Sequence, residues 1–133
     1  MIKGLLWFNG LAFLAFGIAC LFSPEFPAGL SGLELSSADA PIEIRAQYGG
    51  IFLAIAGFAL YGAIKDSMAT PALLMLLLVY AGLASGRLLG LMLDPGPAGN
   101  YTYSALAFEV VFSIILLAVL IRSQAGETPS PEG

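Results

Sequence analysis

Four membrane-spanning helices in a single all-α bundle are what these 133 residues predict. Three observations point there. The chain is 59% hydrophobic and 11% charged, about half the charged share of an average soluble domain, so polar groups cannot cover a water-facing surface. Four apolar stretches, 4–22, 44–64, 72–93 and 103–121, each approach the roughly 20 residues that a helix needs to cross about 30 Å of hydrocarbon. The basic residues that flank these stretches fall on one side of the bundle only.

The first stretch starts behind Lys3 and contains "GIAC", which resembles a lipoprotein cleavage box. Gly17 fits the first position of such a box poorly, and "LF" carries the apolar run past Cys20. A retained helix is therefore expected. The segment 23–40 that follows holds Pro24, Pro27, Gly29 and Gly32, yet Phe26, Leu30, Leu33 and Leu35 are too apolar for a free linker. It is expected to be structured and to fold back over the outer mouth of the bundle. "DAPIE" opens the second helix, with Pro41 in its first turn and Glu43 near the positive helix end. The third stretch includes "ALLMLLLVYAGLA", which lacks the alternation of a membrane strand. "DPGPAGN" joins it to the fourth as a turn. The domain is expected over 1–122, with 123–133 a polar, Pro-rich, mobile tail.

Lys3, Lys65 and Arg122 flank the spans on one side, and the opposite loops carry only acids: Glu25, Glu34, Asp39 and Asp94. The excess of positive charge on cytoplasmic loops places both termini in the cytoplasm.

Glycine spacing predicts close packing. Gly82, Gly86 and Gly90 repeat every four residues as a stripe on the third helix, and Gly49, Gly50 and Gly57, with Ala54 and Ala56, form one on the second. Such stripes let a neighbouring helix approach closely, and they are expected here as packing devices.

Composition removes much chemistry. There is no histidine and one cysteine, Cys20. That excludes His/Cys zinc sites, histidine haem ligation, Ser-His and Cys-His nucleophile pairs and dithiol exchange. No metal site, cofactor or catalytic residue is expected. The net charge of −4 without a basic patch argues against nucleic acid.

Charges inside spans are the informative residues, because each costs about 3 kcal/mol on insertion scales. Arg87 lies six residues before the outer end of the third stretch, so roughly 9 Å below it. Glu109 lies six residues into the fourth, and Arg45 about one turn into the second helix. Arg45 shares a helical face with Tyr48, Gly49 and Phe52; Glu109 shares one with Ala105 and Ser113; Arg87 borders the Gly86/Gly90 stripe. All three can point inward at one level. One reading is a structural ion pair, Arg87 or Arg45 with Glu109. The other is a pocket of Arg45, Tyr48, Arg87 and Glu109 open toward the outer surface. Glu43, Gln47, Asp94, Tyr101 and Tyr103 would form its rim, and a surplus arginine would hold a carboxylate or phosphate. Glu109 as a proton carrier is the weaker alternative, since a nearby arginine favours its charged form. Asn9 is expected to bond across helices.

"IRAQYGGIFLAIAGFALYGA", then "GLASGRLLGLMLD", then a late "FEV", with "GIACLFSPEFP" after the first helix, resemble a bacterial family of small four-helix membrane proteins, domain of unknown function family 4345. The match rests on Arg45, Tyr48, Gly49, Gly50, Gly86, Arg87 and Glu109. The resemblance implies a fold and a bacterial inner membrane and implies no activity. Small multidrug exporters have a similar length but place an essential Glu in the first helix, which here has no acid. Quinone-linked disulfide enzymes need cysteine pairs that are absent.

The function expected first is binding of a lipid-like or anionic small molecule. An accessory subunit of a larger membrane complex, with only a structural ion pair, comes second, and an enzyme last. Membrane lipid is the expected partner, with another membrane chain or a second copy as further candidates.

Overall fold

The computed structural model describes residues 1–94 and 96–125. Helix α1 spans Ile2–Phe22 and α2 spans Glu25–Ser31. Helix α3 spans Ala40–Ile64, α4 spans Ala69–Leu93 and α5 spans Asn100–Ala125. There is no strand among the described residues. Four of these helices, α1, α3, α4 and α5, are long and apolar enough to cross a bilayer. They leave large side chains such as Leu78, Leu89, Ile114 and Leu117 exposed on their outer faces. Water would penalise that exposure and hydrocarbon does not. The protein is an all-helical integral membrane protein.

Local chemistry explains the helix ends. At the end of α1 the Ser23 N–H donates to the Ala19 carbonyl at 2.8 Å, and Pro24 follows. Helix α2 stops at Gly32, whose φ of 71° is the left-handed conformation that glycine adopts without strain. The Leu33 N–H then closes the end on the Ala28 carbonyl at 2.9 Å. Ser37 Oγ accepts from the Ala40 N–H at 3.2 Å where α3 starts. Pro41 and Pro71 both sit in first turns, where a missing N–H costs nothing.

The spanning helices run past the apolar stretches. Helix α3 begins at Ala40, within the "DAPIE" expected to open it and four residues before its apolar stretch, and α5 begins at Asn100 and continues through Ala125. Backbone hydrogen bonding outlasts the apolar run, so polar flanks stay helical beyond the hydrocarbon. Helix α5 takes in Ser123, Gln124 and Ala125 of the expected tail; the tail's other residues, 126–133, lie outside the described residues. A wider helical turn interrupts α3 at Arg45–Gly50, where the Ile51 N–H reaches back five residues to Ala46.

The core sits at one end. Leu6, Ala59, Ala63, Ala72, Leu73, Leu76, Leu116 and Leu120 pack there. An exposed 2.5 Å ion pair from Lys3 to Asp66 joins the start of α1 to the α3–α4 turn at the same end. Above this core the Tyr80 hydroxyl donates to Asn9 Oδ1 at 2.7 Å, and Asn9 Nδ2 donates to the Leu5 carbonyl at 2.8 Å. Phe8 stacks on Phe112 at 5.9 Å, where α1 meets α5.

Close glycine packing occurs, but mainly between α1 and α3. A methyl group on Gly10 would lie 2.7 Å from Leu60, and one on Gly49 would lie 2.5 Å from Leu21. Gly17 faces Leu53 and the Gly49 carbonyl, and a methyl on Gly62 would collide with Ala72. The stripe on α4 is different. Gly82, Gly86 and Gly90 have nothing within 4 Å of the place a Cβ would occupy, and neither does Gly57. Gly50 meets only the carbonyl of Arg45, at 3.9 Å. Within the chain these residues are therefore not packing devices. Helix α4 buries the face carrying Ala72, Leu76, Tyr80 and Ala84, and Gly82 and Gly86 fall on the far side.

Candidate functional site

At the end away from the core the helices part, and a cleft of about 440 Å³ opens between α1, α3, α4 and α5. Pro27 and Ser31 of α2 form part of its wall, and α2 is held there by Phe26 packing edge-on against Phe16 at 5.8 Å. Most of the remaining wall is aromatic: Phe13 and Phe16 from α1, Tyr48 and Phe52 from α3, Tyr80 from α4, and Tyr101 and Phe108 from α5. Phe13 and Phe16 pack tilted against Phe52 and Tyr48 packs edge-on against it, with ring centroids 5.4–5.9 Å apart, so this wall is preorganised.

One charged spot interrupts it. Arg87 Nε donates to both carboxylate oxygens of Glu109, at 2.9 and 3.0 Å. Glu109 is 4% exposed, and Ser113 Oγ bonds its backbone carbonyl at 2.8 Å. Position explains the meeting. Arg87 follows Tyr80 and Ala84 along the buried face of α4, and Glu109 follows Ala105 and precedes Leu116 along that of α5. The carboxylate takes the guanidinium by its Nε, so the two Nη groups are not committed to Glu109. Across the guanidinium, the Tyr101 ring centre lies 5.5 Å away, a cation–π distance.

The structure separates the other candidate residues. Arg45 does not join the pair and does not line the cleft. Its Nε donates to the Leu21 carbonyl at 2.9 Å, one of the last carbonyls of α1, which lack helical partners and carry the negative helix end. The cause is the wide turn at Arg45–Gly50. It breaks the three- and four-residue register of an α-helix, so Arg45 and Gly49 face α1 while Tyr48 and Phe52 face the cleft. Glu43 and Gln47 bond each other at 3.3 Å on an exposed surface, and Tyr103 is exposed away from the cleft. Asp94 lies with Arg87 in a second, neighbouring hollow of about 370 Å³ beside Gly96, Pro97 and Thr102. Two arginines facing one carboxylate is therefore not the arrangement found. Among the described residues Arg87 and Glu109 are the only charged ones lining the cleft.

Of the aromatic wall, the sequence singles out Tyr48, Phe52 and Tyr101 but not Phe13, Phe16, Tyr80 or Phe108. Spacing alone could have placed Phe13 with Phe16, and Tyr80 with Arg87, on shared faces. No group of acids and cysteines among the described residues is placed to hold a metal ion.

These features define a class: a small integral membrane bundle, packed tight at one end and parted at the other around an aromatic cleft with a single ion pair. The chain belongs to the family Domain of unknown function (DUF4345), whose profile covers residues 1–120. No curated protein and no solved structure matches it.

Proposed function

We propose that the protein binds a lipid-like amphiphile in this cleft, in the outer leaflet of a bacterial cytoplasmic membrane, with both termini in the cytoplasm. The observation that carries the reading is the cleft's composition: a mostly aromatic concavity of about 440 Å³ with one charged spot, the Arg87–Glu109 pair. Small-molecule sites have this build, apolar walls and a few fixed polar groups. The orientation rests on Lys3, Lys65 and Arg122 at the core end. Ala105→Trp tests the reading, since Ala105 lines the cleft and is only partly buried. Native mass spectrometry of protein extracted with its lipids should show one tightly held molecule on the wild type and none on the variant. Equal lipid retention by both would contradict the proposal.

A second reading has its own support. The open face of α4 around Gly82 and Gly86 is smooth and unpartnered, as in a subunit that docks on another membrane chain. Gly86→Ile would then release the protein from a native complex without loosening its fold, and an unchanged sedimentation profile of solubilised membranes would speak against it.

A further inference from the structure

Building on the cleft as an amphiphile site, we infer that its occupant is a neutral amphiphile with a flat, carbonyl-bearing ring as its head, the chemistry of an alkylated benzoquinone, and not an anion. Charge is the first argument. Among the described residues Arg87 and Glu109 are the only charged ones lining the cleft, and they neutralise each other at 2.9 Å. Arg45, which would have left a surplus positive charge, is occupied with the Leu21 carbonyl. An anionic head would have to sit beside the carboxylate of Glu109 in a low-dielectric site, where like charges repel strongly.

Donors are the second argument. The Arg87 Nη groups are not spent on Glu109. Among the described residues the Tyr48 hydroxyl has no hydrogen-bond partner, although it stands in the cleft wall. Both groups can donate to neutral carbonyl oxygens. The Tyr80 hydroxyl, by contrast, is already committed to Asn9. Shape is the third argument. Rings on α1, α3, α4 and α5 face this space, and ring heads gain offset-stacked and edge-on contacts there that a bare alkyl chain cannot make. The tail has an exit, because Leu83 and Phe108 line the cleft and are also exposed, at 37% and 48%.

The test uses an azido-substituted decyl-benzoquinone, photolysed with the full-length protein in lipid nanodiscs, the label being mapped by peptide mass. A diazirine-bearing decanoate runs in parallel. Label from the azido compound should fall on cleft segments of α1, α3 and α5. Excess decyl-benzoquinone should abolish it and excess decanoate should not. Tyr48→Phe removes only a hydroxyl that holds nothing within the protein, so the fold should survive while half-maximal labelling shifts roughly fivefold to higher concentration, the worth of one hydrogen bond. If decanoate competes equally well, the ring-head inference falls and amphiphile binding stands. If neither probe labels the cleft, both fall.

Discussion

Both carboxylate oxygens of Glu109 share one bifurcated hydrogen bond from the Arg87 Nε–H, at 2.9 and 3.0 Å. Both residues sit within spanning helices, and the carboxylate is nearly inaccessible. Removing one partner strands the other, which typically costs about 3–5 kcal/mol for a buried pair. Arg87→Leu and Glu109→Leu should each destabilise by that order. The double variant should recover much of the loss, since apolar replacements of a buried pair are often neutral. Unfolding of the four proteins in detergent measures the coupling. Additive losses in the double variant would show that the two groups do not depend on each other.

Glycine substitutions should separate packed faces from open ones. A methyl on Gly62 meets Ala72 and lies 2.9 Å from the Met68 carbonyl, so backbone must move. Gly62→Ala should lower stability by about 1–3 kcal/mol. Gly86→Ala meets nothing, and glycine within a helix is weaker than alanine by roughly 1 kcal/mol. It should leave the melting temperature unchanged or raise it. A lower melting temperature for Gly86→Ala than for Gly62→Ala would reverse the assignment of faces.

The hydroxyl of Tyr80 bridges α4 to Asn9 on α1 at 2.7 Å. Interhelical hydrogen bonds in membranes contribute about 0.6 kcal/mol on average and up to about 1.7. Tyr80→Phe should therefore cost about 1 kcal/mol and no more than about 2. Asn9→Leu should cost a similar amount, and the pair of changes less than the sum. Thermal unfolding in one detergent checks this, and strict additivity would count against the bridge.

Reporter fusions address orientation. A fusion after Lys65 should report the cytoplasm and one after Asn100 the opposite side, because basic flanks resist translocation. Identical reports from both sites would rule out the four-span topology.

Sequence legibility followed what local physics decides. Span number came from the length and apolarity of each run, which depend on no neighbour. The inward placement of Arg87 is also legible, but not from the glycine stripe it borders: Arg87 turns inward because it continues the face of Tyr80 and Ala84. Periodicity tells which residues of a helix share a face, and says nothing of which face meets a neighbour. Gly82 and Gly86 illustrate the gap, since the same spacing serves a packed seam or an open surface. Arg45 shows another limit. Its face was assigned on regular α-helical register, and the wide turn at Arg45–Gly50 changed that register locally. The cleft itself was only partly visible, because its wall draws on five helices whose association is set by packing distant in sequence.

The most direct measurement is a structure of the protein determined in its native lipid, read beside Arg87. Non-protein density should fill the space bounded by Phe16, Tyr48, Phe52, Tyr101 and Phe108, with its polar end within hydrogen-bond distance of the Arg87 Nη groups and a tail leaving past Phe108. A cleft closed by contact of α1 with α5, its rings packed on one another and Arg87 bonded only to protein, would contradict the reading of this bundle as a holder of an amphiphile.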